Sequence, residues 1–122
     1  MGGKRVLFYA DAAGRDPVSK ELEKLAPQER GKIAAYVALL RREGEDLRRP
    51  VSDYVGDKLY ELRPGAHRVL YFFFLKDNAV LLHLFRKRSD RLPDWERRVA
   101  LSRMADLIRR NERGEVELRE VT

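Results

Sequence analysis

Cysteine is absent from the 122 residues, and histidine occurs only at His67 and His83. The first absence excludes a disulfide framework, a thiol nucleophile and any cysteine-based metal site. Two imidazoles are too few for most zinc sites, so neither metal nor cofactor is expected. No apolar run approaches the length of a membrane span. "MGGKRVLFYA" holds a short apolar stretch and no cleavage pattern, so a cytoplasmic protein without a membrane role is expected. There is no internal repeat and no low-complexity segment.

What the chain has is charge. Charged residues make up 38% and hydrophobic residues 43%, which describes a soluble, ordered protein with a densely charged surface. The length fits a single domain over residues 1–122. Lys and Arg number 26 against 20 Asp and Glu, a net charge of +6. Such a field favours a polyanion: nucleic acid, an acidic protein partner or an anionic surface. Composition does not choose among them.

"KRVLFYA" (4–10) reads as a first strand. Asp16-Pro17 supplies a helix cap and first turn, and Val18, Leu22 and Leu25 recur at helical spacing, predicting a helix over roughly 17–26. Pro27 restarts the chain, and Ile33, Tyr36, Val37 and Leu40 form the stripe of a second helix over 28–43. "GEDLRRPVSDYVGD" (44–57) reads as a polar connection. Strands are expected over 58–63, 67–76 and 79–87, with turns at Pro64-Gly65 and Asp77-Asn78. Pro93 opens a last helix with Ala100, Leu101, Met104, Leu107 and Ile108 on one face and Trp95 and Val99 on the other. The last nine residues or so read as a short strand or a flexible tail. The order is β-α-α-β-β-β-α. It predicts an α+β domain with a small, mostly antiparallel sheet, an N-terminal helical hairpin and a C-terminal helix.

Strand alternation converts pairing into a map of faces. With Pro64-Gly65 as a two-residue turn, Glu61 pairs with Arg68; a four-residue loop pairs Arg63 with Arg68. Either leaves Glu61, Arg63 and Arg68 on one face. With Asp77-Asn78 as a two-residue turn, Phe72 pairs with His83 and Arg68 with Lys87. One face then carries Leu59, Glu61, Arg63, Arg68, Leu70, Phe72, His83, Phe85 and Lys87. The other carries Tyr60, Leu62, Val69, Tyr71, Phe73, Leu82 and Leu84. The helical hairpin covers one of these faces. The last helix, a partner chain or both cover the other.

The charges collect at one sheet end beside "FRKRSDR" (85–91), which brings Arg86, Arg88 and Arg91 near. Like charges gathered this way repel one another, and a bound phosphate would offset the repulsion. The bland alternative is a solvated strand end with an Arg63–Glu61 surface pair, worth little.

"KLYELRPGAHRVLYFF" and "VLLHLFRKRSD", followed by a proline and an arginine- and alanine-containing helix, resemble the RelE/HigB superfamily of toxins, closest to its phage-derived HigB-like branch. The likeness covers roughly 58–105. It implies a RelE-like fold and a toxin that cuts mRNA, commonly in the ribosomal A site. It also implies a cognate antitoxin, of helix-turn-helix type. Carried over by position, Arg68 matches the arginine of the family's "yRvlY" strand, Arg63 that of "ELR", and Lys87 and Arg88 the basic pair after the last strand. Three places depart from the pattern. Tyr60 stands for the usual aromatic, Leu92-Pro93 for Thr-Pro, and Glu61 lies where RelE carries lysine.

RNA cleavage without a metal uses the 2′-OH as nucleophile. Arginine stays charged, so Arg63, Arg68 and Arg88 are expected to stabilise the transition state. Lys87 is a charge stabiliser, acid or base, and Glu61 a candidate base. Arg86, Arg91, His83 and Trp95 are candidates for RNA binding. A satisfied core role for His83, and packing of Trp95 against the sheet or at an interface, are the competing readings. Two other functions fit the same pattern: a gyrase poison resembling ParE, and a non-catalytic nucleic-acid-binding domain.

Overall fold

The computed structural model describes residues 3–116. Five strands form one sheet, with β1 at Arg5–Phe8, β2 at Ser52–Gly56, β3 at Leu59–Leu62, β4 at His67–Phe74 and β5 at Asn78–Arg86. The helices are α1 at Pro17–Glu23, α2 at Pro27–Glu43 and α3 at Asp94–Glu112. The strand order is β1-β5-β4-β3-β2, parallel for β1 with β5 and antiparallel elsewhere. The α+β class and the mostly antiparallel sheet are as expected, and the parallel edge strand makes the sheet mixed. Of the expected C-terminal segment, residues 117–122 lie outside the described residues.

The helices begin where the sequence signals them. The Asp16 carboxylate accepts from the Ser19 N–H at 3.1 Å, with Pro17 opening α1. Glu29 accepts from the Ala26 N–H at the start of α2, and Ile33, Val37 and Leu40 turn inward at i, i+4 and i+7. With Val18 of α1 they pack on Leu62, Val69, Tyr71, Leu81 and Leu84 of the sheet. On the opposite face Ala100, Met104 and Leu107 of α3 pack on Leu59, Leu70, Phe72 and Leu82. Helices thus cover both faces. Each Leu or Val fully buried this way contributes roughly 1.5–3 kcal/mol against exposure.

Three expectations need correction or a choice. The polar connection 44–57 contains a 3₁₀ turn, Gly44–Asp46, and the edge strand β2. β2 pairs with β3 through Asp57-Lys58, both in the left-handed region with φ of 56° and 66°. The tight hairpin turn needs that conformation, and Asn-Gly would have advertised it. Second, β3 and β4 take the register of the four-residue alternative. Leu62 pairs with Val69, which sets Arg63 level with Arg68, and residues 63–66 lie between the two strands.

Third, Asn78 is not a turn residue. It pairs with Phe74, so the loop is the three residues Leu75, Lys76 and Asp77, with Leu75 and Lys76 at φ of 52° and 69°. An odd loop reverses which β5 residues share a face with β4. A bulge between the Tyr71–Leu81 and Leu70–His83 pairs, with Leu82 as the extra residue, reverses it back. Leu82 therefore joins the α3 face rather than the α1/α2 face. Toward the charged end the faces match the expected map, displaced by two residues: Arg68 lies opposite Phe85, and the Lys87 N–H bonds the Ala66 carbonyl at 2.8 Å.

Candidate functional site

Glu61 and Arg68 lie on the α3 face of β3 and β4, at the sheet end where the loop 63–66 and the segment after β5 meet. Glu61 is buried and holds two guanidiniums: Arg63 Nη1 donates to its Oε1 at 2.9 Å, and Arg68 Nε lies 3.7 Å away. Burial pushes the Glu61 carboxyl up, and the two arginines pull against that shift. Arg68 is itself buried, and its Nη1 donates to the carbonyls of Gly65 and His67 at 2.8 and 2.7 Å. Burial, then the Arg63 charge, push its guanidinium below the ordinary value, while Glu61 pulls it up. Arg68 therefore closes the 63–66 loop as well as facing the charged end.

Lys87 reaches the same place from β5. Its Nζ donates to Asp90 at 2.9 Å. The Asp90 carboxyl is held below its usual range, first by that bond, then by the Lys87 charge, and further by Arg63 and Arg68. The structure thus gathers Glu61, Arg63, Arg68 and Lys87, and interleaves carboxylates among the cations instead of leaving them to repel.

The remaining candidates divide. Arg88, exposed, lines a cleft of about 530 Å³ between α1, β5 and the start of α3, together with Arg86, Lys87, His83 and Trp95. Arg86 also lies 3.6 Å from Glu29 of α2, on the other side of β5. Arg91 is exposed in the segment before α3. Trp95 is 55% exposed at the cleft, which removes the reading of it as packed core. His67 is buried, 3.9 Å from Glu29, away from the cluster.

His83 sits at the back of the cleft, and sequence reasoning missed both of its partners. Its Nε2 lies 2.5 Å from Glu96 Oε1, and its Nδ1 lies 3.3 Å from Arg103 Nη1. A guanidinium only donates, so Nδ1 accepts and Nε2–H donates to Glu96. Burial pushes the imidazole below its ordinary value of 6.5, with Glu96 opposing. Arg103 also donates to the Leu82 carbonyl at 2.8 Å, the carbonyl of the bulge residue. The signal for this triad was present: Glu96 and Arg103 stand seven apart on α3, flanking the buried Ala100. It was obscured because Glu96 also suits the positive end of the helix dipole.

Among the described residues, no cluster of three or more His, Asp or Glu is placed to hold a metal ion, and no helix is long and apolar enough to cross a membrane. What fold and site define is a basic α+β domain with an arginine- and lysine-lined sheet end opening beside a cleft. Residues 20–105 match the family described as "Phage derived protein Gp49-like (DUF891)", and the chain belongs to that family, which is associated with RelE-like toxins of toxin–antitoxin systems. No curated protein matches the chain.

Proposed function

We propose that the protein is a HigB-like endoribonuclease toxin of RelE-like fold that cuts mRNA in the ribosomal A site, and that its partner is a helix-turn-helix antitoxin in the same cytoplasm. The observation that carries the reading is the convergence of Arg63, Arg68 and Lys87 on one sheet end, with Glu61 beneath them. The 2′-OH attacks the adjacent phosphorus; the O2′–P bond forms as the P–O5′ bond breaks. The guanidiniums of Arg63, Arg68 and Arg88 stabilise the charge that develops on the phosphoryl oxygens. Lys87 Nζ, paired with the exposed carboxylate of Asp90, donates a proton to O5′. Glu61 aligns Arg63 and Arg68, and as the buried carboxyl of this face it takes the proton of the 2′-OH.

The test is growth inhibition on expression, combined with toeprinting of mRNA on ribosomes. Lys87→Ala is the cleaner variant because its side chain makes one bond, to the exposed Asp90. Arg68→Ala is accompanied by circular dichroism, since it also loses two loop bonds. Each is expected to lower cleavage by about 10²-fold or more with the fold retained. Full toxicity of both variants overturns the site. Gyrase-linked DNA breaks with intact mRNA, or RNA binding without any cut, overturns the activity.

A further inference from the structure

The cleft beside the proposed site has the features of a base-reading pocket. Its volume of about 530 Å³ falls within the range of roughly 300–1,000 Å³ typical of small-ligand sites. At its mouth stands Trp95, a large aromatic left 55% exposed. At its back, His83 stacks on Phe85 with ring centroids 5.2 Å apart. Lys87 and Arg88 supply the cationic rim that a nucleotide backbone needs. Lys87 belongs to both places, since it lines the cleft and meets Asp90 at the sheet end.

Glu96 is the polar group that points to a particular ligand. It lines the cleft, yet is only 4% exposed. Its Oε1 accepts from His83, whose tautomer Arg103 fixes from the other side. The other carboxylate oxygen, Oε2, takes no part in that bond. A carboxylate that lines a cleft can accept N–H donors from a ligand that enters it. Guanine is the base whose Watson–Crick edge offers two adjacent donors, N1–H and the N2 amino group, which a carboxylate can accept side by side. Adenine offers the N6 amino group and an acceptor beside it, which an oxygen would repel.

We propose that this cleft binds an unpaired guanine of single-stranded RNA, stacked on Trp95 and read on its Watson–Crick edge by Glu96. The inference rests on the endoribonuclease reading for RNA as the ligand, and it names the base beside the cut. Trp95 stacking supplies affinity for any base. Glu96 supplies the preference, and the His83–Arg103 pair holds the carboxyl in place.

Because Trp95 is the single tryptophan, quenching of its fluorescence reports occupancy of the cleft directly. The probes are fully 2′-O-methylated RNA tetranucleotides, which cannot be cut, carrying one guanine, adenine or inosine in a pyrimidine background. The guanine probe is expected to bind roughly tenfold tighter than the adenine probe, and inosine, which lacks the N2 amino group, to lie between them. Glu96→Gln keeps an acceptor for His83 and is expected to reduce the guanine preference to about twofold or less, with circular dichroism unchanged. Trp95→Ala, followed by anisotropy of end-labelled probes, is expected to weaken both purine probes about equally. Equal binding of guanine and adenine by the native protein overturns the proposal, as does a preference that survives Glu96→Gln. Neither binding measurement depends on cleavage. A protein that cuts mRNA but shows no guanine preference loses this inference alone, whereas one that binds guanine but cuts nothing loses the endoribonuclease reading alone.

Discussion

A buried guanidinium must place its donors, and Arg68 places two on the carbonyls of Gly65 and His67 while Nε faces Glu61. The sequence led to Arg68 through its neighbours in a strand, but only the loop carbonyls explain why a charge tolerates that depth. His83 poses the same problem in an uncharged form. With Nδ1 accepting from Arg103 and Nε2–H donating to Glu96, adding a proton costs one of those bonds and adds a charge beside Arg103. Its pKa in the folded protein lies below the ordinary 6.5, chiefly through burial. The folded state therefore binds fewer protons than the unfolded state once the pH drops below about 6.5, and stability falls with pH there. Thermal denaturation between pH 7.5 and 5.5 should show Tm declining as the pH is lowered. In His83→Gln the decline should be shallower over the same window. The carboxyls held low by partners, such as Asp53 and Asp106, begin to lose stability only in the more acidic range near their ordinary value of 3.8.

At the scale of elements, the β2–β3 hairpin turns on Lys58, which holds φ of 66° without being glycine. The left-handed conformation costs an ordinary residue about 1–2 kcal/mol, and glycine adopts it freely while losing more chain entropy on folding. Lys58→Gly should therefore raise stability by roughly 0.5–1 kcal/mol, read in calorimetry as a Tm increase of a few degrees. The same turn explains what the sequence hid. β2 was illegible because Asp57-Lys58 is not a usual hairpin pair. The helices and the strands β1, β3, β4 and β5 were legible because prolines, caps, turn residues and apolar stripes agreed with one another. Glu61, Arg63 and Arg68 were placed together from alternation along each strand and an even-numbered loop between them, and the register of the four-residue alternative bears that out. Glu96 and Arg103 were not, because their roles arise from contacts between separate elements, and Asp90 was not, because its pair with Lys87 forms in an irregular segment; periodicity encodes neither.

For the molecule as a whole, a net charge of +6 sets how it meets RNA. Arg63, Lys87 and Arg88 are cations of the proposed site at the sheet end and cleft rim, and one phosphate contact from each to a single strand predicts a slope near −2 for log Kobs against log salt. Titration of the uncleavable probes in increasing potassium chloride measures it, and Lys87→Ala should make the slope shallower by about 0.7. The odd loop at 75–77 and the extra residue Leu82 belong at this scale too, because together they decide which way an entire strand presents its side chains. Each holds one residue more than an unbroken ladder with a two-residue turn needs. Deleting Leu82 would leave Leu81 opposite Tyr71 and His83 opposite Leu70, a regular ladder with the same faces and one leucine fewer in the α3 core. The site thus depends on the pairs that flank each irregularity, and its spacing along the chain is free to vary where those pairs hold.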